Sequence, residues 1–266
     1  MRELERDLVP TPTTVAPIAI VGRGRVGGSL ARAAEAVGLP VRVTSSEDAA
    51  EGSRGATAAL LCVPDSAIGD VCDRVAAVES RPALVGHVSG ATTLDALAAA
   101  ASRGAATFSL HPLQTFADDA TSVQSIPSAI AGSNAEAERF AAALAELLGM
   151  RPFAVPEERR AAYHAAACIA SNFLVALEES AAGLLENAGI EDARELLAPL
   201  VLRTAANWTE RGADALTGPI ARGDRATIER HRAALAELAP ELLPAYETLA
   251  ARTKALAGAG ASEVTA

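Results

Sequence analysis

Ile18-Ala19-Ile20-Val21-Gly22-Arg23-Gly24-Arg25-Val26-Gly27-Gly28, followed by Ser29-Leu30-Ala31-Arg32-Ala33-Ala34, is the stretch that decides the fold. It reads as a buried apolar strand, then glycines at the G-x-G-x-x-G spacing (Gly22, Gly24, Gly27), then a helix of small residues. Each glycine has its own physical reason. Gly22 permits the tight turn, Gly24 lets a pyrophosphate approach the backbone, and Gly27 lets helix and strand pack closely. Unpaired N–H groups at the helix start, with the positive end of its dipole, favour phosphate oxygens there. A dinucleotide site formed by Gly22, Arg23, Gly24, Arg25, Val26 and Gly27 is the first expectation.

Outward from this motif, strand-like and helix-like segments alternate. Ile18–Val21 is the first strand, residues 29–37 the first helix, and Val41–Thr44 a second strand. The apolar run 58–63 ends at Pro64-Asp65 and precedes a helix over 67–78. Residues 84–88 form a strand ending at Ser89-Gly90-Ala91, and 93–101 are helical. Segments 107–110, 128–131 and 151–155 complete the strand set. Between the last two, a Ser133/Glu136 capping box opens a helix whose apolar face carries Phe140, Leu144, Leu147 and Leu148. Such alternation predicts an α/β fold, a doubly wound parallel Rossmann sheet.

From Glu157 onward only helices are expected. One runs to about Asn187 and stops at Ala188-Gly189. A second is capped by Asp192 and kinked by Pro199, and a third is capped by Asp224 after the loop Thr217–Gly223. A fourth covers 241–256. The organisation expected is a loose tail over 1–16, a Rossmann dinucleotide-binding domain over 17–155, an all-helical substrate and dimerisation domain over 156–257, and a frayed end over 258–266. The many alanines and lightly charged faces of the helical half suit packing against a second copy, so a homodimer through that half is expected.

Composition excludes several classes. The net charge of −10 and the lack of a basic run argue against nucleic acid. No apolar segment approaches the roughly 20 residues that span a bilayer, so no membrane partner is expected. Cys62, Cys72 and Cys168 form no C-x-x-C pair and suit a reducing cytoplasm. The only lysine is Lys254, so a G-K-[ST] phosphate loop is absent, and Tyr163 has Ala167 four residues later, not the lysine of a Tyr-x-x-x-Lys pair. The four histidines show no metal-ligand spacing, and no metal is expected.

In this fold an acidic residue at the end of the second strand binds the ribose of NAD. Here Thr44-Ser45-Ser46 stand at that place. Hydroxyls tolerate a 2′-phosphate, which points to NADP(H) ahead of NAD(H), although Glu47 lies one residue beyond. Ligands of such sheets bind outside the carboxyl ends of the strands. The clusters there are Val63-Pro64-Asp65, under the cofactor; His87-Val88-Ser89-Gly90; and His111-Pro112-Leu113-Gln114-Thr115-Phe116. His87 reads equally as a core histidine. His111, fixed by Pro112 at a strand exit, is a candidate proton donor. On the long helix His164, Cys168, Ser171, Asn172 and Val175 share one stripe, with His164 and Asn172 as candidates and Cys168 as filler. His231 falls on an apolar stripe and reads as structural.

Taken together, the glycine loop, Val63-Pro64-Asp65, His87-x-Ser89-Gly90, His111 to Phe116, Tyr163-His164-Ala165-Ala166, Ser171-Asn172 and Leu216-Thr217-Gly218-Pro219-Ile220-x-Arg222-Gly223-Asp224 resemble Rossmann-like proteins with a DUF2520 domain. That group looks like a branch of the 6-phosphogluconate dehydrogenase-like superfamily, some of whose members are described as alternative ketopantoate reductases. The resemblance implies a nicotinamide cleft between a Rossmann and a helical domain. The better-known relatives place a catalytic lysine one turn before an asparagine; if Asn172 is that asparagine, Cys168 stands at the lysine position. Another acid is then needed, from His111 or His164, with Ser89 and Asn172 orienting the substrate and Gln114, Thr217, Gly218 and Arg222 binding it. Three readings stay open: an NADPH-dependent reductase of a small ketopantoate-like 2-oxo acid, an imine or pyrroline-type reductase, and a non-catalytic NADP(H)-binding sensor or scaffold.

Overall fold

The computed structural model describes residues 17–263, so the expected tail over 1–16 lies outside the described residues. Seven strands form one sheet: β1 (Ile18–Val21), β2 (Val41–Thr44), β3 (Ala58–Leu61), β4 (Leu84–His87), β5 (Ala106–Pro112), β6 (Pro127–Gly132) and β7 (Arg151–Ala154), in the order β2-β1-β3-β4-β5-β6-β7. The first five are mutually parallel. One junction departs from the all-parallel expectation: β6 runs antiparallel to β5, with Pro112 opposite Ser128, and β7 is parallel to β6. The 14-residue link between β5 and β6 carries no helix to reverse the chain, so β6 returns directly beside β5.

Helices α1 (Arg25–Ala36), α2 (Ala49–Ser53), α3 (Ile68–Ala76), α4 (Ala98–Ser102) and α5 (Ala135–Leu147) complete this half. Two apolar cores lie on opposite faces of the sheet. Ile18 and Ile20 join Leu30 of α1 and Leu144 of α5 in one. Ala19 and Val21 join Ile68, Val71 and Val75 of α3 in the other. This double burial explains the unbroken apolar run of β1. The sequence places two details of α5 wrongly. Its cap is Asn134, whose side chain accepts from Ala137 N at 2.9 Å, while Ser133 Oγ accepts from Thr107 N in β5. Leu147 is 48% exposed and leaves the apolar face.

The chain divides into two compact units at Cys168/Ile169, later than the boundary at 155/156 read from the sequence. The start of α6 (Arg160–Ala170) therefore belongs with the sheet. Ser171, with φ −124° and ψ −73°, separates α6 from α7 (Asn172–Asn187), so the expected single helix and its polar stripe are interrupted. In the second unit α7 is followed by α8 (Ala193–Arg211), α9 (Gly218–Arg222), α10 (Arg225–Leu238) and α11 (Leu243–Glu263). Asp192 precedes α8 at φ 56° but provides no side-chain cap, whereas Asp224 Oδ1 accepts from Thr227 N at 3.1 Å. Part of the expected loop is the short helix α9, and α11 extends through Glu263 beyond the expected fray at 258.

The helical stretch Glu157–Asn187 is long and apolar enough to cross a membrane by length and composition, contrary to the expectation that no apolar segment approaches that length. Its first turns are tied into the sheet unit through the buried Arg160, described below.

Candidate functional site

The strand order reverses at β1, with β2 on one side and β3 on the other, and this switch point is where such sheets open a crevice. Gly22 has φ +121°, and a Cβ there would overlap the Cys62 carbonyl at the end of β3; a Cβ on Gly27 would overlap the Gly22 carbonyl. Both glycines are therefore demanded by backbone meeting backbone. At Gly24 a Cβ would meet nothing within 4 Å, so the loop is open to solvent there. Gly24 is the N-cap of α1, makes no side-chain cap, and no acidic residue occupies the first turn. The helix start thus keeps free donors and an unopposed dipole, as a pyrophosphate requires.

A cavity of about 350 Å³ opens beside this turn, lined by Gly24, Arg25, Val26, Val63, Pro64 and Phe116 among others. Arg25 Nη1 donates to Phe116 O at 3.1 Å, so one loop arginine holds the chain beyond β5 over the crevice. At the end of β2 the hydroxyls are partly engaged. Thr44 is buried and donates to Asp48 O at 3.3 Å, and Ser45 Oγ donates to Asp48 Oδ2 at 2.9 Å. A cation that the sequence reading does not pick out, Arg74 of α3, donates to Ser46 O at 2.9 Å. Glu47 is held below the usual carboxylate range by a backbone hydrogen bond, by the Ser45 and Ser46 hydroxyls, and by Arg74.

A second cavity of about 260 Å³ shares Val26, Val63, Val88 and Phe116 with the first and adds Asp65, Ser89, Gly90, His111, Gln114 and His164. Here the structure brings together residues that lie far apart in the chain. His111 leaves β5, and α6 presents Tyr163 and His164. His111 Nδ1 and Tyr163 Oη are 2.7 Å apart, and the His111 and His164 ring centroids 6.3 Å. Gly90 fits between the two imidazoles: a Cβ on it would lie 2.8 Å from His111 Cε1 and Nε2 and from His164 Cδ2. Ser89 Oγ donates to Asp65 Oδ2 at 2.8 Å and accepts from Thr92 N at 2.9 Å, so Ser89 shapes the turn that carries Gly90. His164 Nδ1 lies 3.8 Å from Cys168 Sγ.

Under this turn sits Arg160, the first residue of α6, with no exposed surface. Its Nε donates to Glu157 Oε1 at 3.0 Å, Nη1 to Ser89 O at 3.1 Å, and Nη2 to Ser109 Oγ of β5. Burial, reinforced by the charges of His164 and Arg160, pushes the His111 imidazole down to about 4, so the ring is neutral near pH 7 in place of the imidazolium the sequence suggests. Burial first, then Arg160, also pushes His87 down to about 4. Ser89 N donates to His87 Nδ1 at 3.2 Å, which assigns the His87 proton to Nε2. His87 is thus a core histidine. Tyr163 is pushed up to about 12 by burial.

Asn172, Thr217, Gly218 and Arg222 lie in the second unit. Asn172 is exposed at the start of α7; Thr217 and Arg222 line one cavity of about 410 Å³, and Gly218 opens α9. His231 Nδ1 lies 3.0 Å from Tyr246 Oη on an exposed face. Arg160, Glu157, Tyr163 and Arg74 are not among the site residues expected from the sequence. Charged residues at helix starts are ordinary, and only the spacing of Arg160, Tyr163 and His164 (i, i+3, i+4) hints at a shared face.

Residues 126–253 match the domain of unknown function DUF2520, and residues 42–112 match a Rossmann-like domain. The two matches cover separate stretches of the chain, and each spans less than half of it. No curated protein matches it in sequence. Among solved structures it is similar to BF3122 of Bacteroides fragilis, provisionally described as an NADP oxidoreductase (24% identity, 90% of this chain and 98% of that one, TM-score 0.76). It is also similar to protein TM1727 of Thermotoga maritima (21%, 91% and 99%, TM-score 0.72) and to a reductive aminase of Aspergillus terreus in complex with NADPH and ethyl-5-oxohexanoate (17%, 94% and 95%, TM-score 0.64). At these identities the likeness is one of fold.

Proposed function

We propose that this Rossmann-like DUF2520 protein is an NADPH-dependent oxidoreductase that reduces a small 2-oxo acid of ketopantoate type in the cavity between Gly90, His111 and His164. The observation that carries the reading is the adjacency of two cavities that share Val26, Val63, Val88 and Phe116. One adjoins the open start of α1, and the other holds both imidazoles. The open N–H groups of the glycine loop fit a pyrophosphate, and Arg74 beside Ser46 supplies a cation for a 2′-phosphate. The NADP oxidoreductase description and the NADPH complex among similar folds agree with this choice.

NADPH bound in the crevice supplies hydride to an electrophilic carbon. The residues of this chain then manage the oxygen. With Tyr163 donating to Nδ1, the neutral His111 presents Nε2–H to the cavity, a donor aimed where negative charge develops. Transfer of that proton to an alkoxide is balanced by a proton from Tyr163 Oη to Nδ1; burial disfavours the resulting phenolate, and Arg160 offsets part of that cost. General acid help of this kind is worth roughly 10²–10⁴-fold. A second reading has a specific observation behind it: a neutral His111 and the absent lysine suit an iminium, which needs no proton as hydride arrives.

The test is binding of NADPH and NADH by calorimetry, then oxidation of NADPH with a panel of 2-oxo acids and cyclic imines. Turnover of an oxo acid that falls at least about 100-fold in His111→Gln supports the first reading. Turnover of imines alone supports the second. Tight NADPH binding with no turnover of any compound overturns both and leaves a sensor or scaffold; equal affinity for NADH overturns the cofactor preference.

The expected dimer is part of the same proposal. Within the helical unit Leu200, Leu202 and Trp208 of α8 are 64%, 71% and 64% exposed, while the buried apolar residues among those described there are Ala182, Ala193, Leu235 and Ala239. Large apolar side chains outside and mostly small ones inside support the proposal that these helices pack against a second copy of this chain. A monomeric mass by light scattering would refute it. A cytoplasmic enzyme with reduced cysteines is the matching location.

A further inference from the structure

The turn that carries Gly90 is pinned at both ends by a single ion pair. Arg160 Nη1 holds Ser89 O where the turn begins, and Glu157 Oε2 accepts from Leu94 N at 2.7 Å where it ends. The two side chains meet through Arg160 Nε and Glu157 Oε1 at 3.0 Å. Nη2 reaches Ser109 Oγ in β5, two residues before His111. The guanidinium thus ties three elements together: the turn after β4, the strand that carries His111, and the helix that bears Tyr163 and His164.

A buried charge of this kind is costly. Removing an arginine from water is repaid only when its donors are matched, and here Nε, Nη1 and Nη2 each have an acceptor. An apolar residue would fill the same space at less cost, so stability alone gives no account of the arginine. What an apolar residue does not do is fix direction. The planar fork sets the distance between the Ser89 carbonyl and the Ser109 hydroxyl and sets the rotation of α6 about its axis. On that rotation depends whether Tyr163 and His164, three and four residues further on, face His111 and Gly90.

We propose that Arg160, with Glu157 as its partner, is the positioning residue of the site, setting the gap between the Gly90 turn and the imidazoles of His111 and His164. The proposal rests on the reading that this cavity is the reaction site, yet its first test does not. Ring-nitrogen NMR of the unliganded protein follows His111 and His164 in the native chain, Arg160→Met, Arg160→Lys and Glu157→Gln. The groups that face His111 are Tyr163 and His164 of α6, Asp65, His87 and Arg160.

In Arg160→Met the His111 ring is expected to titrate higher, as the neighbouring positive charge is removed, and to lose the signature of its hydrogen bond to Tyr163. Arg160→Lys, which keeps the charge but not the fork, is expected to leave the titration near native while still weakening that signature. Glu157→Gln, the milder change, keeps the fold if Arg160→Met does not and is expected to weaken it too. Native ring signals in Glu157→Gln and in Arg160→Lys would overturn the proposal. Where turnover is found, the variants lower kcat at least about 10-fold with the Kd for NADPH unchanged; an unchanged kcat overturns the positioning role. Absence of turnover in the native chain refutes the proposed activity and leaves the NMR outcome to decide the positioning role.

Discussion

Gly90→Ala tests the arrangement of the site most directly. Gly90 is not among the residues with positive φ, so alanine meets no backbone penalty and the effect is purely one of space. The added carbon would lie 2.8 Å from atoms of both imidazoles, whereas ordinary contacts between carbons begin near 3.5 Å. The rings must therefore retreat by about 0.7 Å between them and the turn. His111 has little freedom, because Nδ1 is held by Tyr163 at 2.7 Å and the residue lies within β5, paired with Ala129 of β6. Overpacking of this size costs about 1–3 kcal/mol, and release of the Tyr163 hydrogen bond adds about 1 kcal/mol. A thermal melt reads this as a fall of roughly 2–4 °C in Tm for each kcal/mol. If the cavity is catalytic, displacement of its donors by most of an ångström lowers kcat by about 100-fold. A variant with native Tm and native histidine ring signals would refute the reasoning, because it would mean that Gly90 does not separate the two rings.

Acid should destabilise the protein in a defined window. His87 and His111 are held near 4 against about 6.5 in an unfolded chain, so the unfolded state binds more protons between those values. Their contribution is complete above pH 6.5 and lost as pH falls through 4, by up to about 3 kcal/mol for each ring; urea unfolding in that range should flatten in His111→Gln. Gly22→Ala should abolish the folded glycine turn, since positive φ and the Cys62 carbonyl both oppose a side chain, and circular dichroism with NADPH calorimetry reads the loss. Asn134→Ala should cost about 1 kcal/mol in chemical unfolding by uncapping α5.

Parts of the molecule are plain in the chain itself. Ile18–Val21 and Val41–Thr44 are legible to the residue, because one is a short apolar run closed by a glycine turn and the other is confined between Pro40 and Ser45. Ser89, His111, Gln114 and His164 stand out in the sequence and line one cavity in the fold. What stays hidden depends on long-range partners. The reversal of β6 leaves no local mark, since its central residues are buried on both faces as those of a parallel strand would be. Asn134 and Ser133 are both good caps, and only the approach of Thr107 decides which hydroxyl or amide is free. Arg160 resembles any basic residue at a helix start until Ser89 and Ser109, 71 and 51 residues earlier, close over it.

The late unit boundary, at Cys168, has a consequence for how such proteins are taken apart and recombined. The last strand ends at Ala154, yet the sheet half still depends on residues well beyond it: Glu157, Arg160, Tyr163 and His164. A chimera joined just after β7 would import the guanidinium, the phenol and one imidazole from the donor of its helices. Joined after Cys168, it would keep them native. Exchange of helical halves between relatives is therefore neutral for the histidine pocket only at the later seam, and the first two turns of α6 are inherited with the sheet.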